Sequence, residues 1–421
     1  MKTQVETLIV GAGQAGLALS RCLRDLGRDH VVLERGRVGE RWRSERWDSF
    51  RLLSPNWQTR LPGFRYRGAD PHGFMGRDEI ARFLQAYADS FDAPVLDGVT
   101  VRSARPSSSG QGWTVHTDEA TYEAGNLVVA TGHYQRPHVP DMATALPGRV
   151  RQLHTWRYRN PGQIAPGGVL VVGAGPSGQQ IADELARAGR RVYLAVGHHR
   201  PLPRRYRGHD AYWWLDHMGE LERNVDTLPG AAPARRPSVV TAGGSEDLDL
   251  RRLVRHGVTP VGRLVGLDSS VDSSVARFAC DLPDRLAEAD NYTARFRNRV
   301  DEYVARTGLP AGPALVRVPP QGAPAWTRTA PTRLDLDAAG VRTVIWATGY
   351  ARDYRWLDAA PLDSEGEPVH RRGVSPQPGL YWMGLRWQWT RSSNSIDGVG
   401  RDAAYLAEHL AQRTAVAENV A

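Results

Sequence analysis

Short apolar runs alternate along the chain with amphipathic stretches, and glycine-rich turns separate them. Thr7-Leu8-Ile9-Val10 is a strand-length apolar run. Leu17 to Leu26 repeats apolar residues at helical spacing and stops at Gly27, and His30-Val31-Val32-Leu33 is the next apolar run, ending on Glu34. This pattern predicts strand, turn, helix and strand. A second copy opens with Gly168-Val169-Leu170-Val171-Val172, continues as a helix from Gln179 to Ala188 closed by Gly189, and ends in a strand from Arg191 to Val196. Two more apolar strands, from Asn126 and from Val344, each run into Ala-Thr-Gly: Ala130, Thr131 and Gly132 in one, Ala347, Thr348 and Gly349 in the other. A last helix is predicted from Arg401 to Leu410. The Pro-, Gly- and Ala-rich stretches 228–244 and 309–331 read as loops.

The two glycine-rich turns carry the chemistry. They read Gly11-Ala12-Gly13-Gln14-Ala15-Gly16 and Gly173-Ala174-Gly175-Pro176-Ser177-Gly178, and they begin 162 residues apart. In each, the first glycine permits a tight turn, the second lets the backbone approach a pyrophosphate, and the third lets helix and strand pack closely. The N–H groups of the helix start then face the phosphates. Glu34 lies 18 residues after Gly16, where a carboxylate accepts hydrogen bonds from ribose hydroxyls. The same count from Gly178 reaches Val196, and beyond it come His198, His199, Arg200, Arg204 and Arg205. An acid repels a 2′-phosphate and an arginine pairs with it, so the second site is expected to take NADPH and the first FAD. Arg200 is the leading phosphate ligand, with Arg204 beside it; a solvated loop is the alternative for both. The predicted fold is α/β, with two Rossmann-like dinucleotide-binding domains. The NADPH domain (141–345) is inserted into the FAD domain (1–140 and 346–421), and the two Ala-Thr-Gly turns mark the crossings.

Composition narrows the class. Of 421 residues, 41% are hydrophobic and 24% charged, as in an ordinary globular protein. No window approaches the ~18 apolar residues of a membrane span. The polar start Met1-Lys2-Thr3-Gln4-Val5-Glu6 runs straight into a strand, so no signal peptide is expected and the cytoplasm is the expected compartment. Cys22 and Cys280 are the two cysteines, too far apart for a CxxC redox pair. The net charge of +8 suggests nucleic acid at first sight, but 53 of the 54 basic residues are arginines spread over the whole chain without a basic tail. Nucleic acid is therefore not an expected partner. No His, Cys and carboxylate set has metal-ligand spacing, so no metal is expected.

The order of FAD turn, Ala-Thr-Gly, NADPH turn and Ala-Thr-Gly resembles the class B flavoprotein monooxygenases, over nearly the whole chain. It looks most like their compact bacterial flavin-containing-monooxygenase-like members. Before its second turn this family carries FxGxxxHxxxY or FxGxxxHxxxW. Here His154 and Tyr158 match, the Phe is absent, and Gly148 stands two residues too far from His154. His154 is expected to hold the domain junction. Gly39-Glu40-Arg41-Trp42-Arg43 resembles the segment that runs along FAD, which implies cofactor contacts for Arg41, Trp42 and the nearby Arg35. Asn56 matches an asparagine beside the reactive edge of the flavin, implying a catalytic role; an asparagine after Pro55 also suits a turn. The last helix points its N-terminus at the flavin in this fold, which implies Asp397 and Val399 at the cofactor. Trp387, Trp389 and Arg391 are candidates for a substrate pocket, with packing as the alternative. The Arg204 to Trp214 cluster is expected to serve the NADPH site and domain packing. The resemblance implies an NADPH-dependent FAD monooxygenase that uses oxygen and a small organic substrate through a C4a-hydroperoxyflavin. An electron-transferring reductase and a non-catalytic redox-sensing flavoprotein are the other readings. The sequence leaves homodimerisation open.

Overall fold

The structure, a computed structural model, describes residues 2–108, 112–228, 239–240, 244, 246–269, 274–315 and 323–418. The predicted loops 228–244 and 309–331 lie partly outside these residues. Between Pro310 and Pro331, the described stretch includes a short helix, Ala325–Arg328.

Two parallel sheets organise the chain. In the first, the strand Lys2–Val10 lies between His30–Glu34 and Thr121–Val129, parallel to both. Val95–Asp97 extends one edge, and the antiparallel strands Trp113–Thr117 and Val101–Pro106 extend the other. Leu380–Trp382 also pairs in parallel with Thr121–Val129. The central strands carry Leu8, Ile9, Leu127 and Val128, all fully buried, as expected of a parallel sheet covered on both faces. Helix Gln14–Asp25 lays Leu17, Leu19 and Leu23 into one core cluster together with Leu406 and Leu410 of the last helix, Val399–Glu418. Gly27, at φ 66°, closes the first helix where a side chain would be strained.

The second sheet runs Arg151–His154, Val341–Trp346, Gly168–Val172, Val192–Ala195 and Val258–Val261, all parallel. A three-stranded antiparallel sheet, Leu264–Ser269, Ser274–Phe278 and Arg333–Asp335, follows it. The chain leaves the first sheet after Val129 and returns to it at Leu380, with all five strands of the second sheet between. The outgoing and returning segments touch: Arg136 and Pro137 pair antiparallel with Ala351 and Tyr350. Thr348 donates its hydroxyl to the His138 carbonyl, and the His154 ring bonds the Gly349 carbonyl through Nε2 at 2.8 Å. Burial pushes the His154 pKa down to about 4, so the ring is a neutral clamp on the second Ala-Thr-Gly turn.

One large element departs from the sequence reading. Leu282–Thr307 is a 26-residue helix. Its buried residues Leu282, Leu286, Ala289, Phe296 and Val300 form a narrow stripe on an otherwise polar sequence. Phe296 and Val300 pack with Tyr206 and Trp214, so the aromatic-basic cluster Arg204 to Trp214 forms a hairpin and the helix Ala211–His217 seated on this long helix. Among the described residues, no helix is long and apolar enough to cross a membrane.

Candidate active site

Both glycine turns open into one continuous cavity of about 1630 Å³. The geometry separates three roles within each turn. A Cβ on Gly16 would stand 1.9 Å from the Gly11 carbonyl oxygen, and one on Gly178 would stand 1.8 Å from that of Gly173. These glycines are required by helix–strand packing. Gly11 and Gly173 sit at φ 111° and 109°, against the carbonyls of Ala130 and Ala347. Thus each Ala-Thr-Gly turn packs on one glycine turn, which explains why the small residues recur together. A Cβ on Gly13 or Gly175 meets nothing within 4 Å. The space in front of these two is therefore open to a ligand phosphate at a helix N-terminus.

Around the first turn, Glu34 accepts from the Ala12 N–H at 2.9 Å and the Gly36 N–H at 3.0 Å, and it lines the cavity. Gln14, Ala15, Arg35, Arg41, Trp42, Ala130, Thr131 and Gly132 line it too. The Trp42 indole reaches Gln14 Oε1 at 3.4 Å. Arg41 Nη1 is ion-paired with Glu45 Oε2 at 3.6 Å and makes no closer hydrogen bond among the described residues. Burial lowers its pKa, so an anion placed there relieves a desolvated charge. Around the second turn, Pro176, Ser177, Arg200, Thr348 and Gly349 line the same cavity, and the Arg200 guanidinium lies 5.8 Å from the Tyr292 ring centre.

Four expected positions are corrected by this geometry. Asn56 is buried, and both ends of its amide are taken: Nδ2 donates to the Asp70 carbonyl and Oδ1 accepts from the Met75 N–H, each at 2.9 Å. It ties down the loop 70–75 and does not line the cavity, which is the turn role of an asparagine after Pro55. Arg204 is 1% exposed, pairs with Asp210 and donates to the Leu53 carbonyl at 2.8 Å. It braces the protein interior and does not face the coenzyme space. Trp389 lies under the Arg372 guanidinium at 4.5 Å and packs away from the cavity, whereas Trp387 and Arg391 line it. Val399 is fully buried, and its N–H bonds the Ser395 carbonyl at 3.1 Å. Asp397 does reach the cavity, paired with Arg60.

The structure adds residues that the sequence did not single out. Gln58 shares the single turn Asn56–Gln58 with Asn56, but its side chain lines the cavity. It is 2% exposed and its Nε2 has no partner among the described residues. A buried amide nitrogen without a partner is expensive. The signal in the sequence was the pair Asn56 and Gln58, two amides in one turn, with nothing to say which one points inward. His133 also lines the cavity; burial and the neighbouring Arg352 and Arg386 hold its pKa well below the usual value. Neither Cys22 nor Cys280 lines the cavity, and no metal-binding group of side chains occurs among the described residues.

Comparison with known proteins agrees with this construction. The pyridine nucleotide-disulphide oxidoreductase family matches residues 8–214. The chain is 34% identical over 413 residues to an uncharacterized oxidoreductase CzcO-like from Geobacillus kaustophilus, covering 97% of this chain and 99% of that one. It is 32% identical over 196 residues to a probable indole-3-pyruvate monooxygenase, YUCCA1, from Arabidopsis thaliana, covering 45% of this chain and 46% of the relative. The fold matches a flavin-containing monooxygenase from Stenotrophomonas maltophilia with a TM-score of 0.67 at 18% identity, over 98% of this chain and 99% of that one. FAD and NADPH, the cofactors of such proteins, fit the two glycine turns, whose middle glycines leave open space on one shared cavity. This enzyme belongs to the CzcO-like oxidoreductases.

Proposed function

We propose that the protein is an NADPH-dependent FAD monooxygenase acting on a small organic molecule. The observation that carries this reading is the shared cavity: one space is bounded by both glycine turns. A nicotinamide and a flavin can meet there directly. FAD, held at the first glycine turn, would supply the redox chemistry, hydride acceptance and oxygen activation, with NADPH at the second turn as the hydride source. Per turnover, one oxygen atom enters the substrate and the other leaves as water, with NADPH and a proton supplying the reducing equivalents.

The chain's own residues bind, orient and exclude water. Gly13 and Gly175 leave room for the two pyrophosphates, and Glu34 holds a ribose. Arg200, four residues beyond Val196, lines the cavity and is the cation assigned here to the 2′-phosphate. Gln58 and the neutral His133 add a polar wall without charge. Neither cysteine reaches the cavity, which disfavours a thiol relay of the kind a disulfide reductase uses. The test is NADPH oxidation in air by the purified holoenzyme with a panel of candidate substrates, reading oxygenated product by mass spectrometry under ¹⁸O₂. Label in the product supports the reading. Rapid reduction with electrons passed only to added acceptors overturns it in favour of the reductase.

A further inference from the structure

Three separate elements converge on one corner of the cavity. Glu220 follows the helix Ala211–His217, Arg299 stands on the long helix, and Arg391 lies in the segment before the last helix. Glu220 Oε1 takes an N–H from Arg299 at 2.8 Å, and Oε2 takes one from Arg391 at 3.2 Å. All three line the cavity. Backbone bonds fix the corner: the Arg391 N–H donates to the Arg223 carbonyl at 3.0 Å, and the Ser392 N–H to Leu221 at 3.2 Å.

One carboxylate is shared by two guanidinium groups, so the corner keeps a net positive charge. Both carboxylate oxygens are occupied, whereas each guanidinium has spent one N–H and retains a fork of donors suited to an anion. A cationic ligand would meet two guanidinium groups beside the single carboxylate. Of the other carboxylates of the cavity, Asp397 pairs with Arg60, Asp353 with Arg355, Glu45 with Arg35 and Arg41, and Glu40 with Arg37, while Glu34 accepts two backbone N–H groups at the first glycine turn. Next to the charged corner the wall is apolar, formed by Tyr212, Leu221 and Phe296. The corner is also displaced from the coenzyme cation. Arg200 lies against Tyr292, and position 299 is two helical turns further on, roughly 10 Å along the axis.

We propose that Arg299 and Arg391, held apart by Glu220, form a carboxylate clamp, so that the substrate is an apolar or aromatic acid. This deepens the monooxygenase reading and rests on it for the word substrate. The test titrates the oxidised holoenzyme with 3-phenylpropanoate, its amide and 3-phenylpropylamine, following the flavin absorbance. The carboxylate is expected to bind at least about tenfold more tightly than the amide, with the amine weakest. Arg391→Met and Arg299→Met should each bring carboxylate and amide to within about twofold, and Arg391→Lys should restore part of the preference. Equal binding of acid and amide in the wild type, tighter binding of the amine, or no binding of the acid overturns the clamp. So does a variant that raises the NADPH KM and keeps the preference, which would assign the pair to the coenzyme. The monooxygenase reading is judged separately by ¹⁸O incorporation: its failure with an intact acid preference leaves the clamp standing as the binding site of a different oxidoreductase.

Discussion

At the scale of single residues, the glycine turns make the sharpest distinction. Gly13 has open space where a Cβ would go, and Gly16 has a carbonyl oxygen there. Gly13→Val is therefore expected to fold with a Tm near that of the wild type and to purify without FAD. Gly16→Ala should lose stability outright, by roughly 1–3 kcal/mol, because backbone must shift. Thermal unfolding with flavin absorbance on the same samples checks both; a Gly13→Val protein that keeps stoichiometric flavin removes the first turn from the cofactor site. Gln58 makes a second test. Gln58→Leu keeps the volume and removes the amide of a cavity-lining residue, while NADPH still reduces the flavin. Loss of one hydrogen bond of ~1 kcal/mol should raise hydrogen peroxide released per NADPH about fivefold. Asn56→Leu should instead unsettle the loop 70–75 and lower the Tm. These two amides also show where sequence reading stops. A turn of three residues could be placed after Pro55, but the direction of each side chain depends on the loop that closes over it, 14 to 19 residues away.

At the scale of elements, legibility follows periodicity and turn chemistry. Both strand–turn–helix units were readable because glycine at fixed spacing has a steric reason that no tertiary contact overrides. Their strand and helix ends moved by a few residues, as from Thr7 to Lys2 at the first strand. The long helix Leu282–Thr307 was not readable in the same way: its apolar stripe is thin, charged residues fill the rest, and its stability comes from packing on Trp214 and Tyr206. The arginines after the second strand divided by the same rule. Arg200, on a short strand, was expected at the coenzyme and lines the cavity; Arg204, four residues on, is drawn inward by Asp210. Arg200→Ala is expected to raise the NADPH KM about tenfold and leave NADH nearly unchanged, since a charge-assisted bond is worth ~1.5–3 kcal/mol. Arg204→Ala should leave coenzyme preference alone and destabilise the fold by roughly 3–5 kcal/mol, the usual consequence of stranding one partner of a buried pair. Steady-state kinetics with both coenzymes, beside denaturant unfolding, separate the two arginines.

At the scale of the molecule, the junction between the sheets carries a pH signature. The His154 pKa is depressed to about 4 in the fold, against 6.5 as its reference. The unfolded chain therefore takes up this proton first as pH falls. The neutral clamp is fully favourable above about pH 6.5, weakens as pH drops, and reaches its floor near pH 4, with a slope of at most ~1.4 kcal/mol per pH unit. Burial alone holds His370 down to about 4 as well, so the loss is shared between the two lobes. His154→Gln keeps a donor for the Gly349 carbonyl without a titrating ring, and its unfolding free energy should fall less steeply between pH 6.5 and 4. Parallel curves for variant and wild type would place the acid sensitivity elsewhere.

The pairing of Arg136 and Pro137 with Ala351 and Tyr350 has an architectural consequence. Entry to and exit from the second sheet lie one strand spacing apart, roughly 5 Å. For the host sheet, everything between those points is a detour with its ends already joined. A gene in which residues 138–349 are replaced by a short glycine-serine bridge should yield a miniature flavoprotein. It would be yellow, reducible by dithionite and indifferent to NADPH, its hydride supply having been excised as a cassette.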